Sequence, residues 1–370
     1  MLAVHKNHPA QLNNLHAVAY HTADVSLGLM LSVSGFKFVG HHGSIAGIAV
    51  SPDGTMAVSG AHNPQSADEA ILWNFPSGAV HCRLHGSKAG VFSVAYSPDG
   101  KIIATGGGGS VQGSRWLYDH AIRLWNDRGD EMCRFGEELF FVYALAFSPD
   151  SRILLSGGGL HPKSNGSCLR LWDVNQGREI RRLGSHSSPV SSAAFSPDGK
   201  FISAGSSGIQ AGGFVPRGDA LTASTSETRT IRVWETSSWQ ELNLFSHQGW
   251  VNSVAFSADG KQLLSAGKGT FLWNLGSGAQ YQRIGGTETD FTHRAIFSPD
   301  GRKIALGTGG RSEMGSPYQN CCARLYDHGT GVEIACWRHE YPVKALAFSP
   351  DSRLLLAGGE RGELRLWEVP

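Results

Sequence analysis

The chain has 370 residues, of which 41% are hydrophobic and 17% charged, with 48 glycines and a net charge of +1 from 32 Lys and Arg against 31 Asp and Glu. This balance does not favour broad electrostatic capture of nucleic acid or of an anionic membrane, and no stretch approaches the roughly 18 apolar residues of a membrane span. Cysteines at 82, 133, 168, 321, 322 and 336 form no CxxC pair, and the N-terminus lacks the charged-then-apolar layout of a secretory signal, so reduced thiols in a cytoplasmic protein are the expectation, with neither a zinc site nor a disulfide framework.

Taken in chain order, the run Leu15–Tyr20 followed by Leu29–Ser32 resembles a worn first and second strand without a third. Residues 1–30 are therefore read as an N-terminal extension, either a degenerate extra repeat or an added strand. Gly35–Val39, followed by His41 and His42, has the look of a lone strand feeding the first full unit. From residue 51 one tetrapeptide then returns seven times. Its copies are Ser51–Gly54, Ser97–Gly100, Ser148–Ser151, Ser196–Gly199, Ser257–Gly260, Ser298–Gly301 and Ser349–Ser352. Six read Ser-Pro-Asp and one Ser-Ala-Asp. Pro presets φ for a tight type I turn and Gly tolerates its fourth position. The serines are 46, 51, 48, 61, 41 and 51 residues apart, the signature of a repeat architecture with variable loops.

Residues 85 to 126 show one unit. A loop, His85–Gly90, leads into an apolar strand, Val91–Tyr96, which runs into the turn. A second strand, Lys101–Thr105, ends at Gly106–Gly109, and a third, Ala121–Trp125, alternates its faces. Glu131–Phe135 supplies a fourth. Third strands end alike throughout, on Trp73, Trp125, Trp172, Trp234, Trp273, Tyr326 and Trp367. Four short antiparallel strands cannot bury a face alone, but stacked around an axis they can. The chain stops on a third strand, Leu364–Trp367, with no fourth after it.

The order His, Val-x-x-Val-Ala-Phe-Ser-Pro-Asp-Gly, Leu-x-Ser-Gly and Ile-Arg-Leu-Trp-Asp resembles the WD40 repeat, over residues 31–370. The resemblance implies an all-β fold: a seven-bladed β-propeller of four-stranded antiparallel blades, closed by an N-terminal strand near 33–39 that completes the last blade. It also implies a stabilising tetrad, matched in full by sequence position only in the second unit, as His85, Thr105, Asp119 and Trp125.

In propellers of this kind the Ser-Pro-Asp turns lie on one face, and the longer loops lie on the other, called the top. Five of the seven second-to-third-strand loops are lengthened, and they bring Trp116 and Tyr118, Phe214 and Arg217, and Tyr318. The residue before each first strand points to the top centre in this family, which marks Phe141, Trp250 and Phe291 as apolar anchors or as packing beneath those loops. Chemistry is thin elsewhere. There is no Gly-x-Ser-x-Gly elbow, the Gly106–Gly109 run lacks a phosphate-loop ending, and the histidines lack matched carboxylates or thiols. The expectation is a non-catalytic interaction scaffold, a subunit of a larger complex, that binds a protein or peptide on its top face without cofactor or metal. The alternatives are a sensor propeller with a small molecule in its central channel and, behind it, a propeller enzyme.

Overall fold

The computed structural model describes residues 35–370 apart from 64–69, 88, 113–114, 137–139, 161–166, 187–188, 207–229, 248–249, 286–290 and 311–316. The extension read at residues 1–30 lies outside the described residues. Seven four-stranded antiparallel sheets are present. Blade 1 runs Ser44–Val50, Met56–His62, Ala70–Asn74 and Ala79–Leu84. The first strands of blades 2 to 7 are Val91–Tyr96, Phe140–Phe147, Val190–Phe195, Val251–Phe256, Thr292–Phe297 and Val343–Phe348. Each touches the first strand of the next blade, and that of blade 7 touches blade 1, so the ring closes. Among the described residues the only helical turn is Glu360–Gly362, and no helix is long and apolar enough to cross a membrane.

Closure comes from the N-terminal strand. Phe36–Phe38 pairs antiparallel with Leu364–Glu368, setting Phe36 opposite Leu366 and Phe38 opposite Leu364. Phe38 is 1% exposed, and its ring lies 5.4 Å from that of Trp73 in blade 1. This contact recurs around the ring. An aromatic on one blade's fourth strand meets the third-strand tryptophan of the next blade in Phe135–Trp172 at 5.0 Å, Phe245–Trp273 at 5.5 Å and Trp337–Trp367 at 5.7 Å. The core therefore lies between blades, and burying each such side chain contributes about 1.5–3 kcal/mol.

The repeated turn is a hydrogen-bonded clamp with the same contacts in all seven copies. The serine hydroxyl donates to Oδ1 of the aspartate at 2.5–2.7 Å. The same serine oxygen accepts the N–H five residues on, at 2.9–3.0 Å. The aspartate accepts the N–H two residues beyond itself, at 3.0–3.2 Å. These bonds pull the pKa of each turn aspartate below the usual carboxylate range.

The fourth turn position has φ between +69° and +73° where it is glycine, and +62° and +63° at Ser151 and Ser352. These two serines reach across to the preceding blade. Ser151 Oγ accepts the Asp99 N–H at 3.2 Å, and Ser352 Oγ accepts that of Asp300 at 3.1 Å. Where glycine stands, the Cα faces the preceding turn instead: Gly54 lies beside Pro350, Gly100 beside Pro52, Gly199 beside Pro149, Gly260 beside Pro197 and Gly301 beside Ala258. The seven turns thus form a continuous belt on one face. One expected loop is itself regular, because Gly109–Gln112 pairs antiparallel with Arg115–Tyr118 beyond the second strand of blade 2.

Phe38→Ala should cost about 3–5 kcal/mol in urea denaturation, as loss of a buried aromatic does; a change below 1 kcal/mol would show that the clasp strand does not hold the ring. Ser151→Ala should cost about 1 kcal/mol, since it keeps the left-handed backbone and loses the interblade bond. Ser151→Gly relieves the backbone and should recover that loss. Equal midpoints for the two variants would refute this.

Candidate functional site

Every first strand carries a β-bulge near its start. The pairing shifts between Ile45 and Gly47, Val91 and Ser93, Val142 and Ala144, Val190 and Ser192, Val251 and Ser253, Thr292 and Arg294, and Val343 and Ala345. A bulge lets two residues oppose one and re-aims the extra side chain. Here the extra residues are Ala46, Phe92, Tyr143, Ser191, Asn252, His293 and Lys344, and all seven line one axial cavity of about 570 Å³. The wall therefore changes around the ring from aromatic in blades 2 and 3 to an imidazole and an ammonium in blades 6 and 7. One residue further along, Gly47, Ser93, Ala144, Ser192 and Ala345 are small, whereas blade 6 has Arg294. All six line a narrower cavity of about 40 Å³, and Arg294 also lines the larger one.

The polar side of the larger cavity is a connected network. Lys344 Nζ lies 3.0 Å from Glu360 Oε1, and the Tyr318 hydroxyl donates to Glu360 Oε2 at 2.5 Å. Although burial opposes it, Lys344 and the Tyr318 bond hold the Glu360 pKa below the usual carboxylate range. His293 donates from Nε2 to the Gly309 carbonyl at 2.8 Å, and burial lowers its pKa from 6.5 to about 4. Burial likewise lowers the pKa of Arg294.

Trp250 and Phe291, from neighbouring blades, are only partly buried and meet edge to face, with centroids 6.2 Å apart at 83°. Gly310, which lines the cavity, lies against Phe291. Phe141 belongs to a different cluster, 6.0 Å from Phe92, 5.9 Å from Tyr143 and 5.6 Å from His120. Tyr318 joins the Glu360 network and meets Tyr341 edge to face at 6.0 Å. Trp116 and Tyr118 sit on the second strand of the extra hairpin, and their side chains lie outside the described residues, as do Phe214 and Arg217 entirely. Sequence reasoning missed Phe92, Tyr143, His293, Arg294 and Lys344. Arg294 had a signal, a lone charge at a position that is small in the other blades.

In the tetrad of blade 2, Trp125 Nε1 donates to Thr105 Oγ1 at 2.9 Å. Asp119 is buried and pairs with Arg123 at 3.0 Å, while His85 is exposed. A tighter chain occurs in blade 1, where Ser59 Oγ lies 2.7 Å from both His41 Nε2 and Trp73 Nε1. Burial, aided by Arg83, lowers the His41 pKa from 6.5 to about 3. Burial and Lys344 lower that of His62, on the cavity wall, to about 4.

The family model for the WD domain, G-beta repeat, matches residues 32–68, 78–126, 134–173, 177–235, 239–273 and 319–368. Among curated relatives, the serine-threonine kinase receptor-associated protein of Gallus gallus is 26% identical over 68% of this chain and 61% of its own length. Protein HIR1 of Cryptococcus neoformans is 24% identical over 74% of this chain and 30% of its own. The WD repeat and SOCS box-containing protein 1 of Xenopus tropicalis is 26% identical over 60% and 58%. The chain thus spans at most about three fifths of the length of these relatives.

His41, His62 and His293 are held neutral in the fold but titrate near 6.5 when it opens, so the unfolded chain binds more protons below that pH. Their stability is fully present above pH 6.5 and is lost as pH falls toward 4. His41 and His62, each 7% exposed, should each withdraw about 2 kcal/mol by pH 5. The turn aspartates act only at lower pH. A melting temperature that stays flat between pH 7 and 5 would contradict this.

Proposed function

We propose that this chain, which belongs to the WD40 family of G-beta repeats, is a non-catalytic platform that docks a protein or peptide partner on the face opposite the Ser-Pro-Asp turns. The observation that carries the reading is the edge-to-face pair of Trp250 and Phe291, partly exposed beside the mouth of the axial cavity. Rigid aromatic side chains give large contact area at low entropic cost and dominate binding hot spots. Charges near this face are mixed, with Lys268 and Arg361 exposed alongside Glu340. The chicken relative is named for its association with a serine-threonine kinase receptor, and a protein ligand is the class proposed here by likeness. Phe141, Trp116, Tyr118, Phe214, Arg217 and Tyr318 would complete the docking surface.

The test is a double variant, Trp250→Ala with Phe291→Ala, measured against a partner recovered by pull-down from the native host. Affinity should fall by about thirtyfold or more, the loss expected for removal of a hot spot, with the melting temperature nearly unchanged. Unaltered affinity would sink the proposal. A collapse in melting temperature would show that the pair instead packs the scaffold.

A further inference from the structure

The axial cavity has an unmatched cation at its narrowing. Around the ring, Lys344 is answered by Glu360, and His293 is neutral with its Nε2 taken by Gly309. Arg294 differs. Among the described residues it makes no hydrogen bond or ion pair; its side chain is partly buried and lines both cavities, and burial lowers its pKa. An unpaired charge on the wall of a partly enclosed cavity is a ready partner for a counter-charge. A guanidinium presents a planar fork of donors suited to an oxygen anion. Across the cavity the chemistry reverses. Phe92 and Tyr143, from blades 2 and 3, stand edge to face with centroids 5.5 Å apart. In a ring of seven, blade 6 lies opposite the seam between blades 2 and 3, with blades 5 and 7 on either side of it. One wall is thus aromatic, the facing wall carries Arg294 and Lys344, and the space of about 570 Å³ between them falls in the range of small-molecule sites.

We propose that this cavity binds a small molecule carrying an anionic oxygen group on a flat aromatic body, with the anion on Arg294 and the ring against Phe92 and Tyr143. Asn252 and Ser191, which also line the wall, supply neutral hydrogen-bonding groups between the two poles. The site is separate from docking at Trp250 and Phe291 and does not rest on it. A Trp250→Ala, Phe291→Ala protein that loses its partner should still bind the small molecule.

Two fluorescent probes that differ by one group give the test on the full chain. 8-Anilinonaphthalene-1-sulfonate carries the aromatic body and the anion, and N-phenyl-1-naphthylamine is the same body without the sulfonate. The wild-type protein should bind one equivalent of the sulfonate and prefer it over the neutral amine. Arg294→Gln should weaken sulfonate binding by about tenfold to a hundredfold, as loss of a charge-assisted hydrogen bond does, and leave the amine unchanged. Arg294→Lys keeps the charge and should retain most of the preference. The wild-type preference is measurable without any variant, and melting temperatures check that each variant is folded. Equal binding of the two probes by the wild type, no saturable binding of the sulfonate, or a folded Arg294→Gln protein with unchanged sulfonate affinity would each overturn the proposal.

Discussion

The serine that opens each turn uses one oxygen twice, donating to the aspartate and accepting from the backbone five residues on. With the aspartate taking another backbone N–H, three polar groups at the hairpin tip are satisfied without help from water. This fixes how the first strand of a blade faces the second at one end. The extra residue of the first strand is then accommodated at the other end, as a bulge, and the bulge delivers a side chain to the axis. The chemistry of the channel therefore depends on a hydrogen bond at the opposite face.

The same clamp explains what could be read from the sequence and what could not. Turn, strand alternation and terminal tryptophan are local, period-two signals, and seven coincident copies establish blade count and closure. A bulge leaves no such mark, because it is decided by pairing between strands. The residues that line the cavity, from Ala46 to Lys344, therefore looked like ordinary members of a strand, and attention fell two positions earlier, on Phe141, Trp250 and Phe291. The hairpin at Arg115–Tyr118 was hidden for a similar reason, since its strands are short and surrounded by glycine. In blade 1 the His41–Ser59–Trp73 chain is not marked in the sequence, because His41 and His42 stand side by side after the clasp strand and spacing alone does not say which of them faces Ser59.

Scaffold and channel obey opposite rules. Between blades one kind of contact is reused, a fourth-strand apolar side chain against the third-strand aromatic of the next blade: aromatic at four seams, and Leu84, Leu183 and Ile284 at the others. Along the axis no two bulged residues are alike. Repetition stabilises, and departure from repetition carries chemistry: Arg294 stands in the stretch from 274 to 318 that lies between the family-model matches.

The clasp strand joins residues 36–38 to residues 364–368 in one sheet. Loop-closure entropy grows only logarithmically with length, so this distant pairing costs little more at equilibrium than a much shorter closure. Its kinetic consequence is larger. The fourth strand of blade 7 comes from the far end of the sequence, and until Phe36–Phe38 docks, Leu364–Glu368 is an open edge that accepts any matching strand. The Phe36–Phe38 segment of a second molecule is chemically identical to the native one. At high concentration, reciprocal exchange of this strand between two rings is the assembly error to which the architecture is most exposed.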